Sequence, residues 1–354
     1  MTGVQTCALP ISSPELQEAF ERAGELAGHL GDSQVQLLSL VGLFAVRYVR
    51  GDIAESHDIA CRALALSEQH PDVAGQAHWA VAGSATSLGR HEASLPHFEL
   101  AHKLCADQPP ALVGTRAEVH ARAWSAHPLW LVGREAEALH WSDWAVTRAS
   151  EMDHPYSLAL ALAYAGITHQ LRGDVPRTEE FARRVREICA RYDFAYYGNW
   201  ALILGGWCQG GADGAGQIRA GLARLRDQGA LTRQPYYLGL LADTLLRSGQ
   251  GDAAGVVLDA ARTAAAVHDD RWWLPELYRL SAQQQPGPAG IELLRRALDL
   301  AGQHGSRALA DRAACDLAER RGSGGTERER SPNAALPTLL AIPGRSGGLP
   351  DGGG

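Results

Sequence analysis

A glycine that returns at a near-constant interval constrains this chain more than any other feature, because such a period restricts it to repeat architectures. Gly51, Gly89, Gly133, Gly173, Gly211 and Gly249 lie between pairs of helix-period segments, with Gln285 in the seventh slot, at intervals of 38, 44, 40, 38, 38 and 36 residues. A helix that must end in a left-handed residue and reverse direction takes glycine there without a Cβ penalty. Five residues past each anchor stand Ser56, Ser94, Ala138, Thr178, Gly216, Ala254 and Gly290, and twelve past stand Ala63, Ala101, Ala145, Val185, Ala223, Ala261 and Ala297. Two small-residue columns locked to one turn column mark a second helix that approaches its partner closely. The expectation is an all-α, right-handed TPR-like α-solenoid of antiparallel helix pairs, each a helix A, a turn and a helix B of similar length.

Apolar spacing agrees with this reading. In the fourth repeat Leu158, Leu160, Leu162, Tyr164, Ile167 and Leu171 crowd helix A, and Phe181, Val185, Ile188 and Cys189 recur at helical spacing on helix B. Helix B of a truncated preceding repeat is predicted over Pro14 to His29, with Ser12 or Ser13 as N-cap and Pro14 in the first turn. A last helix, Ser306 to Glu319, closes the array, so that residues 12–320 hold about seven full pairs, the truncated repeat and a terminal helix. Pro96 and Pro128 fall inside helices and predict bends. The glycine-rich stretch Gly205 to Gly216 predicts the loosest hairpin.

The two ends read differently. Residues 1–11, MTGVQTCALPI, resemble the translation of a short-read sequencing adapter and are expected to be an assembly scar, with the natural start of the protein missing. Residues 321–354 shift to Gly, Ser, Pro and Arg without hydrophobic period, which predicts a disordered or frame-shifted tail.

Several function classes fall away on composition and spacing. The chain carries a formal charge of −7 with its basic residues dispersed, so no footprint for a phosphate backbone exists and nucleic acid is not an expected direct partner. The longest apolar run, Leu158 to Ile167, is half of what a bilayer requires, so no membrane span is expected. Lys103 is the only lysine and no glycine loop precedes it, which excludes a P-loop. Neither a dinucleotide fingerprint after a strand nor a nucleophile elbow is present in the folded part. Cys61, Cys105, Cys189, Cys208 and Cys315 lack any C-x-x-C and read as buried apolar residues of a reducing, cytoplasmic compartment. His78, His91, His97 and His102 cluster without metal-ligand spacing and read as surface histidines, and the carboxylates Asp269-Asp270 and Glu179-Glu180 read as solvated faces or helix starts. The chain is thus expected to be non-catalytic, with no cofactor and no metal. If the A helices line the concave surface, the groove presents Tyr48, Trp79, His127, Trp130, Gln170, Tyr236, Asp243 and Arg279 as candidate contacts for a ligand or partner.

The segments His154-Pro155-Tyr156-Ser157-Leu158-Ala159-Leu160-Ala161-Leu162, His169-Gln170-Leu171-Arg172, Gln234-Pro235-Tyr236-Tyr237-Leu238-Gly239-Leu240-Leu241-Ala242 and Arg271-Trp272-Trp273 with Glu276-Leu277-Tyr278-Arg279-Leu280 form a set. Together they resemble the C-terminal TPR-like region of bacterial AAA/STAND-type signalling ATPases, in which a nucleotide cyclase-type or DNA-binding transcriptional activator domain precedes a P-loop ATPase. The resemblance covers roughly residues 33–320 and is stronger in the second half; Pro128 departs from the helix usual at its place. It implies a regulatory arm that binds protein, including its own upstream ATPase or effector domains, or a small-molecule effector. A free-standing TPR scaffold is the alternative. An α/α-toroid enzyme would need helices closed around convergent carboxylates, whereas the small-residue columns argue for an open stack.

Overall fold

A computed structural model describes residues 11–106, 108 and 114–328, the side chains of 322–328 excepted. The expected scar, residues 1–11, lies outside the described residues except for Ile11, and so does the tail from residue 329. The described residues form sixteen helices and no strand, an all-α solenoid.

Helix α1 (Pro14–Leu30) opens the array, and Ser13 caps it by accepting a hydrogen bond from the Leu16 amide at 3.2 Å. Seven antiparallel pairs follow: α2 (Ser33–Arg50) with α3 (Ile53–Ser67), α4 (Ala74–Ser87) with α5 (His91–Leu104), α6 (Ala117–Leu131) with α7 (Glu135–Glu151) and α8 (Pro155–Leu171) with α9 (Val175–Tyr192). The remaining three are α10 (Ala195–Gln209) with α11 (Gly211–Asp227), α12 (Gln234–Arg247) with α13 (Gly251–His268), and α14 (Leu274–Ala282) with α15 (Gly287–Gln303). Helix α16 (Arg307–Arg328) ends the described chain and passes the predicted boundary at Arg320.

The even-numbered helices from α2 to α14 are packed side by side as an inner layer, and the odd-numbered helices lie outside them. Composition sets that division. Helix α8 is apolar nearly all round and is buried from Ala159 to Leu171, whereas α9 buries only Thr178, Phe181, Ala182, Val185 and Cys189 and turns its arginines and glutamates to solvent. The small columns sit where they are needed: Ser56, Ala63, Ser94, Ala101, Ala138, Ala145, Thr178, Ala254, Ala261 and Ala297 are fully buried between paired helices. Helices α5 and α6 continue through Pro96 and Pro128.

The fifth hairpin departs from expectation. Its left-handed turn begins at Gly210, one residue before the predicted anchor, so Ala215 is buried while Gly216 and Ala223 are exposed. The hairpin is also close-packed where it was expected to be loose. A Cβ on Gly214 would stand 2.2 Å from the Gly206 carbonyl oxygen, and one on Gly206 would stand 2.6 Å from the Gly214 carbonyl oxygen. The glycines let two helix backbones touch. Three smaller expectations also change: Cys61 and Cys315 are exposed, His91 is fully buried against His304, and Asp270 is fully buried.

The larger departure concerns the path of the solenoid. An open stack was expected, and in the stack that forms the first three inner helices end against loops five pairs further along. The carbonyl of Val49, at the end of α2, accepts from the amides of Leu231 and Thr232 at 2.9 and 3.2 Å, just before α12. Ser87, at the end of α4, accepts from the amides of Arg271 and Trp272 at 2.8 and 3.1 Å, just before α14. Leu131, at the end of α6, accepts from the Ser306 hydroxyl at 3.4 Å, and Leu171, at the end of α8, accepts from Arg312. One superhelical turn therefore takes five pairs, and the second turn rests on the first. Three of the anchor glycines serve that seam as well as their own turns: with φ of 89°, 79° and 89° at Gly51, Gly89 and Gly133, a Cβ would also lie 3.0 Å from His268, 2.7 Å from His304 and 3.1 Å from Arg307.

Candidate functional site

The first superhelical turn encloses a bore, and the start of the second turn closes one end of it. Aromatic residues line the bore because successive inner helices present them at i, i+4 spacing on the face turned inward: Phe44 and Tyr48 from α2, His120 and Trp124 from α6, Tyr196 and Trp200 from α10. Trp79 from α4, Tyr156 and Tyr164 from α8 and Tyr197 complete the wall, around a cavity of about 50 Å³. Half-buried Ile11, Tyr156 and Tyr196 form its rim.

Arg233, the residue before α12, lines this cavity from the seam and is the only arginine or lysine among the described residues that do. It is 3% exposed, and its backbone is left-handed with φ 62°, an uncommon conformation for a side chain of this size. Four rings surround the guanidinium carbon, Tyr164 at 5.1 Å, Trp200 at 5.2 Å, Trp124 at 5.5 Å and Trp272 at 5.7 Å, each within cation–π range. The Arg233 amide donates to Asp270 Oδ2 at 2.7 Å, which ties the start of α12 to the loop before α14. Nη1 lies 3.5 Å from His127 Nδ1, Nε and Nη2 are buried out of reach of a water molecule, and the Tyr164 side chain lies within hydrogen-bonding range of the guanidinium.

Burial dominates the proton chemistry of the site. It pushes His120 down to about 3, helped by the Arg233 charge, and holds His127 well below its ordinary value for the same two reasons. Both imidazoles are neutral at pH 7, so Arg233 carries the cavity's positive charge alone. Burial also lifts the Asp270 carboxyl to about 6, against the opposing pull of Arg233. Among the described residues no carboxylate lines the cavity, and no three His, Cys, Asp or Glu side chains gather as a metal would need. The wall offers hydroxyls, ring faces and one guanidinium, which suits recognition.

Of the eight residues expected in the groove, Tyr48 and Trp79 do line the cavity, and Tyr48 is held by a 2.8 Å hydrogen bond between its hydroxyl and that of Ser87. His127 stands behind Arg233, stacked on Tyr164 and bonded through Nε2 to the Tyr164 carbonyl at 3.1 Å. The other five are occupied elsewhere and need correction. Trp130 is buried beneath Arg312, whose guanidinium lies 5.0 Å from the indole centroid, and Tyr236 donates to Gln170 Oε1 at 2.7 Å inside the seam. Asp243 accepts from Trp207 Nε1 at 2.7 Å and from Arg247 at 3.1 Å. Arg279 grips the buried Glu276 through Nε and Nη2, both at 2.9 Å, and Asp316 through Nη1 at 2.7 Å. Stacking of turns covers Trp130, whereas Gln170 and Tyr236 hold each other and Asp243 and Arg279 are held by partners on their own and neighbouring helices. Arg233, Trp124, Tyr164 and Trp200 were missed as site residues, and Asp270 was read as part of a solvated face or helix start; the inward aromatic pairs were a visible signal, but nothing local marked Arg233.

No family model matches the chain. An uncharacterized protein of Rhizobium meliloti (strain 1021) is 26% identical over 290 residues, a match that takes in 76% of this chain and spans 28% of that protein. Among solved structures, a Rap protein complexed with competence and sporulation factor superposes with a TM-score of 0.52 at 11% identity, covering 89% of this chain and 100% of the other. A monomeric mutant of IFIT1 with Gppp-AAAA gives a TM-score of 0.52 at 12% identity, covering 89% of this chain and 69% of the other. At these identities the likeness is one of fold, a TPR-like helical repeat. No helix among the described residues is long and apolar enough to cross a membrane.

Proposed function

We propose that this chain is a non-catalytic binding arm that regulates a larger cytoplasmic signalling ATPase or transcriptional regulator. The observation that carries the reading is the bore, a buried aromatic wall around the Arg233 guanidinium. Sites that combine apolar walls with a few convergent polar groups are the usual form of a recognition pocket. The span of only 28% of the Rhizobium meliloti protein supports a chain that works beside other domains. Two solenoids of like fold are complexed with competence and sporulation factor and with Gppp-AAAA, which supports binding as a use of the architecture. Arms of this kind act by contacting their own ATPase or effector domains and altering how readily those turn over. The test is nucleotide turnover by the complete parent protein with and without residues 12–320. An arm that regulates shifts the rate several-fold when removed; a parent without a P-loop domain, or an unchanged rate, overturns the reading.

A further inference from the structure

Helix α10 lines two different cavities. Tyr196, Tyr197 and Trp200 face the bore, whereas Ala195, Gly198, Asn199 and Leu202, on the opposite side of the helix, floor a cleft between the outer helices α9 and α11. The cleft measures about 520 Å³ against about 50 Å³ for the bore, the size of a small-molecule site. It exists because Asp193, left-handed at φ 58°, turns α9 into α10 within two residues, and Ala190, Ala195 and Gly198 then carry no side chain large enough to fill the gap.

The floor is polar at one place. Asn199 is only 5% exposed; its Nδ2 donates to Gln228 Oε1 at 3.4 Å, while its Oδ1 accepts from nothing among the described residues and remains open to solvent. Gln228 Nε2, on the half-buried neighbour, donates to nothing among the described residues either. Together they hold out one acceptor and one donor, the complement of the N–H and C=O groups of a peptide backbone. Charge is ordered along the cleft. Helices α9 and α11 run parallel, so Asp193 and Asp227 stand together at one end, where the C-terminal ends of both helices add negative charge of their own. Arg186 lies two turns and Arg224 one turn back from that end, about 10 and 5 Å at 1.5 Å per residue. Arg186 is held by Glu179 at 2.7 Å, and Asp193, Arg224 and Asp227 enter no ion pair among the described residues.

We propose that this cleft binds a short zwitterionic peptide, its ammonium at Asp193 and Asp227, its carboxylate at Arg186 and Arg224, and its backbone on Asn199 and Gln228. The site lies outside the bore and does not rest on the reading of the chain as a regulatory arm. Length selects the ligand, because an extended peptide advances about 3.3 Å per residue and about two or three residues span the distance between the two charged ends. Charge selects it as well: two arginines and two aspartates line the cleft, which leaves no net charge to draw a simple cation or anion. Phe194 and Leu202 give the small side chains of such a peptide apolar surface to rest on.

The experiment titrates the full chain with trialanine at constant ionic strength, reading heat by calorimetry and the thermal midpoint. Saturable binding and a raised midpoint are expected. Acetyl-trialanine amide, which keeps the backbone and loses both end charges, and free alanine, which has both charges but is too short to join the two ends, should give no response. Arg224→Glu, at an exposed position, reverses the charge meant for the carboxylate, and Gln228→Glu replaces the free donor by an acceptor; each should weaken binding about tenfold. Gly198→Leu should abolish it by filling the floor, since a Cβ there meets Cys189 Cβ at 3.5 Å, an ordinary contact that the fold can hold. Should that variant fail to fold, the two surface variants still decide. The proposal is overturned by a wild-type protein that does not respond, by the capped peptide or alanine responding equally, or by any of the folded variants binding trialanine as wild type does.

Discussion

Asp270→Asn separates two roles that a buried carboxylate beside an arginine can have. Asp270 is fully buried, and its Oδ2 accepts from the Arg233 amide at 2.7 Å, a bond that an asparagine carbonyl oxygen can also accept. Burial lifts its carboxyl from 3.8 to about 6 even with Arg233 pulling the other way. A group raised in the folded state binds protons more tightly there than in the unfolded chain, so its contribution to stability is greatest below the unfolded value and declines as pH rises through the folded one. The rise of about two units corresponds to roughly 3 kcal/mol lost between pH 4 and pH 7. Asparagine imitates the protonated acid at every pH. Urea unfolding at pH 4.5 and pH 7.5 should therefore find the variant within about 1 kcal/mol of wild type in acid and more stable by up to ~3 kcal/mol near neutrality. The comparison between variant and wild type at each pH removes the contributions of other carboxylates. A variant that is less stable than wild type at pH 7.5, and more so than at pH 4.5, would show that the ionised carboxylate is required as the counter-ion of Arg233 and would refute the reasoning.

Other substitutions test the packing. Ala261, fully buried between α12 and α13, has no room or partner for a charge, so Ala261→Arg should cost about 3–5 kcal/mol and lower the thermal midpoint sharply; an unchanged melt would place the register wrongly. Gly214→Ala puts a methyl 2.2 Å from the Gly206 carbonyl oxygen and should cost about 1–3 kcal/mol by forcing α10 and α11 apart, whereas Gly216→Ala, in open space, should be near neutral, both read by denaturant midpoint. Arg279→Ala should destabilise by about 2 kcal/mol, less than the ~3–5 of a buried charge left wholly alone, because Arg312 still reaches Glu276 at 3.1 Å. Burial raises the Glu276 carboxyl, but Arg312 and Arg279 together outweigh it and hold it below its ordinary value. That contribution is present above the unfolded value near 4.5 and is lost as pH falls through the folded one, so the variant should unfold with a weaker acid dependence than wild type. Equal acid dependence would remove Arg279 from that role.

The repeat was legible in the sequence because everything that defines it is local. A left-handed turn asks for glycine at Gly51 or Gly133, a close helix pair asks for Ala63, Ala101 or Ala261, and the contrast between apolar α8 and amphipathic α9 assigns inner and outer layers from one segment each. Where the local rule was ambiguous, as in a hairpin with glycine at both Gly210 and Gly211, the register slipped by one residue. The pitch of the superhelix is a different kind of quantity. It accumulates from small rotations between neighbouring pairs, and no single pair encodes the sum, so the meeting of Val49 with Leu231 or of Ser87 with Trp272 has no signature in either segment. The site followed the same division. Tyr48 and Trp79 line the cavity because they lie on the inward face of their own helices, whereas Trp130 lies where Arg312, 182 positions away, covers it in the stacking of turns, and Gln170, Tyr236 and Arg279 are taken up by partners on other helices. Arg233 and Asp270 acquire their burial only in that stacking. Sequence determined which residues each helix offers inward, and the closing of five pairs into one turn decided which of them still face a cavity.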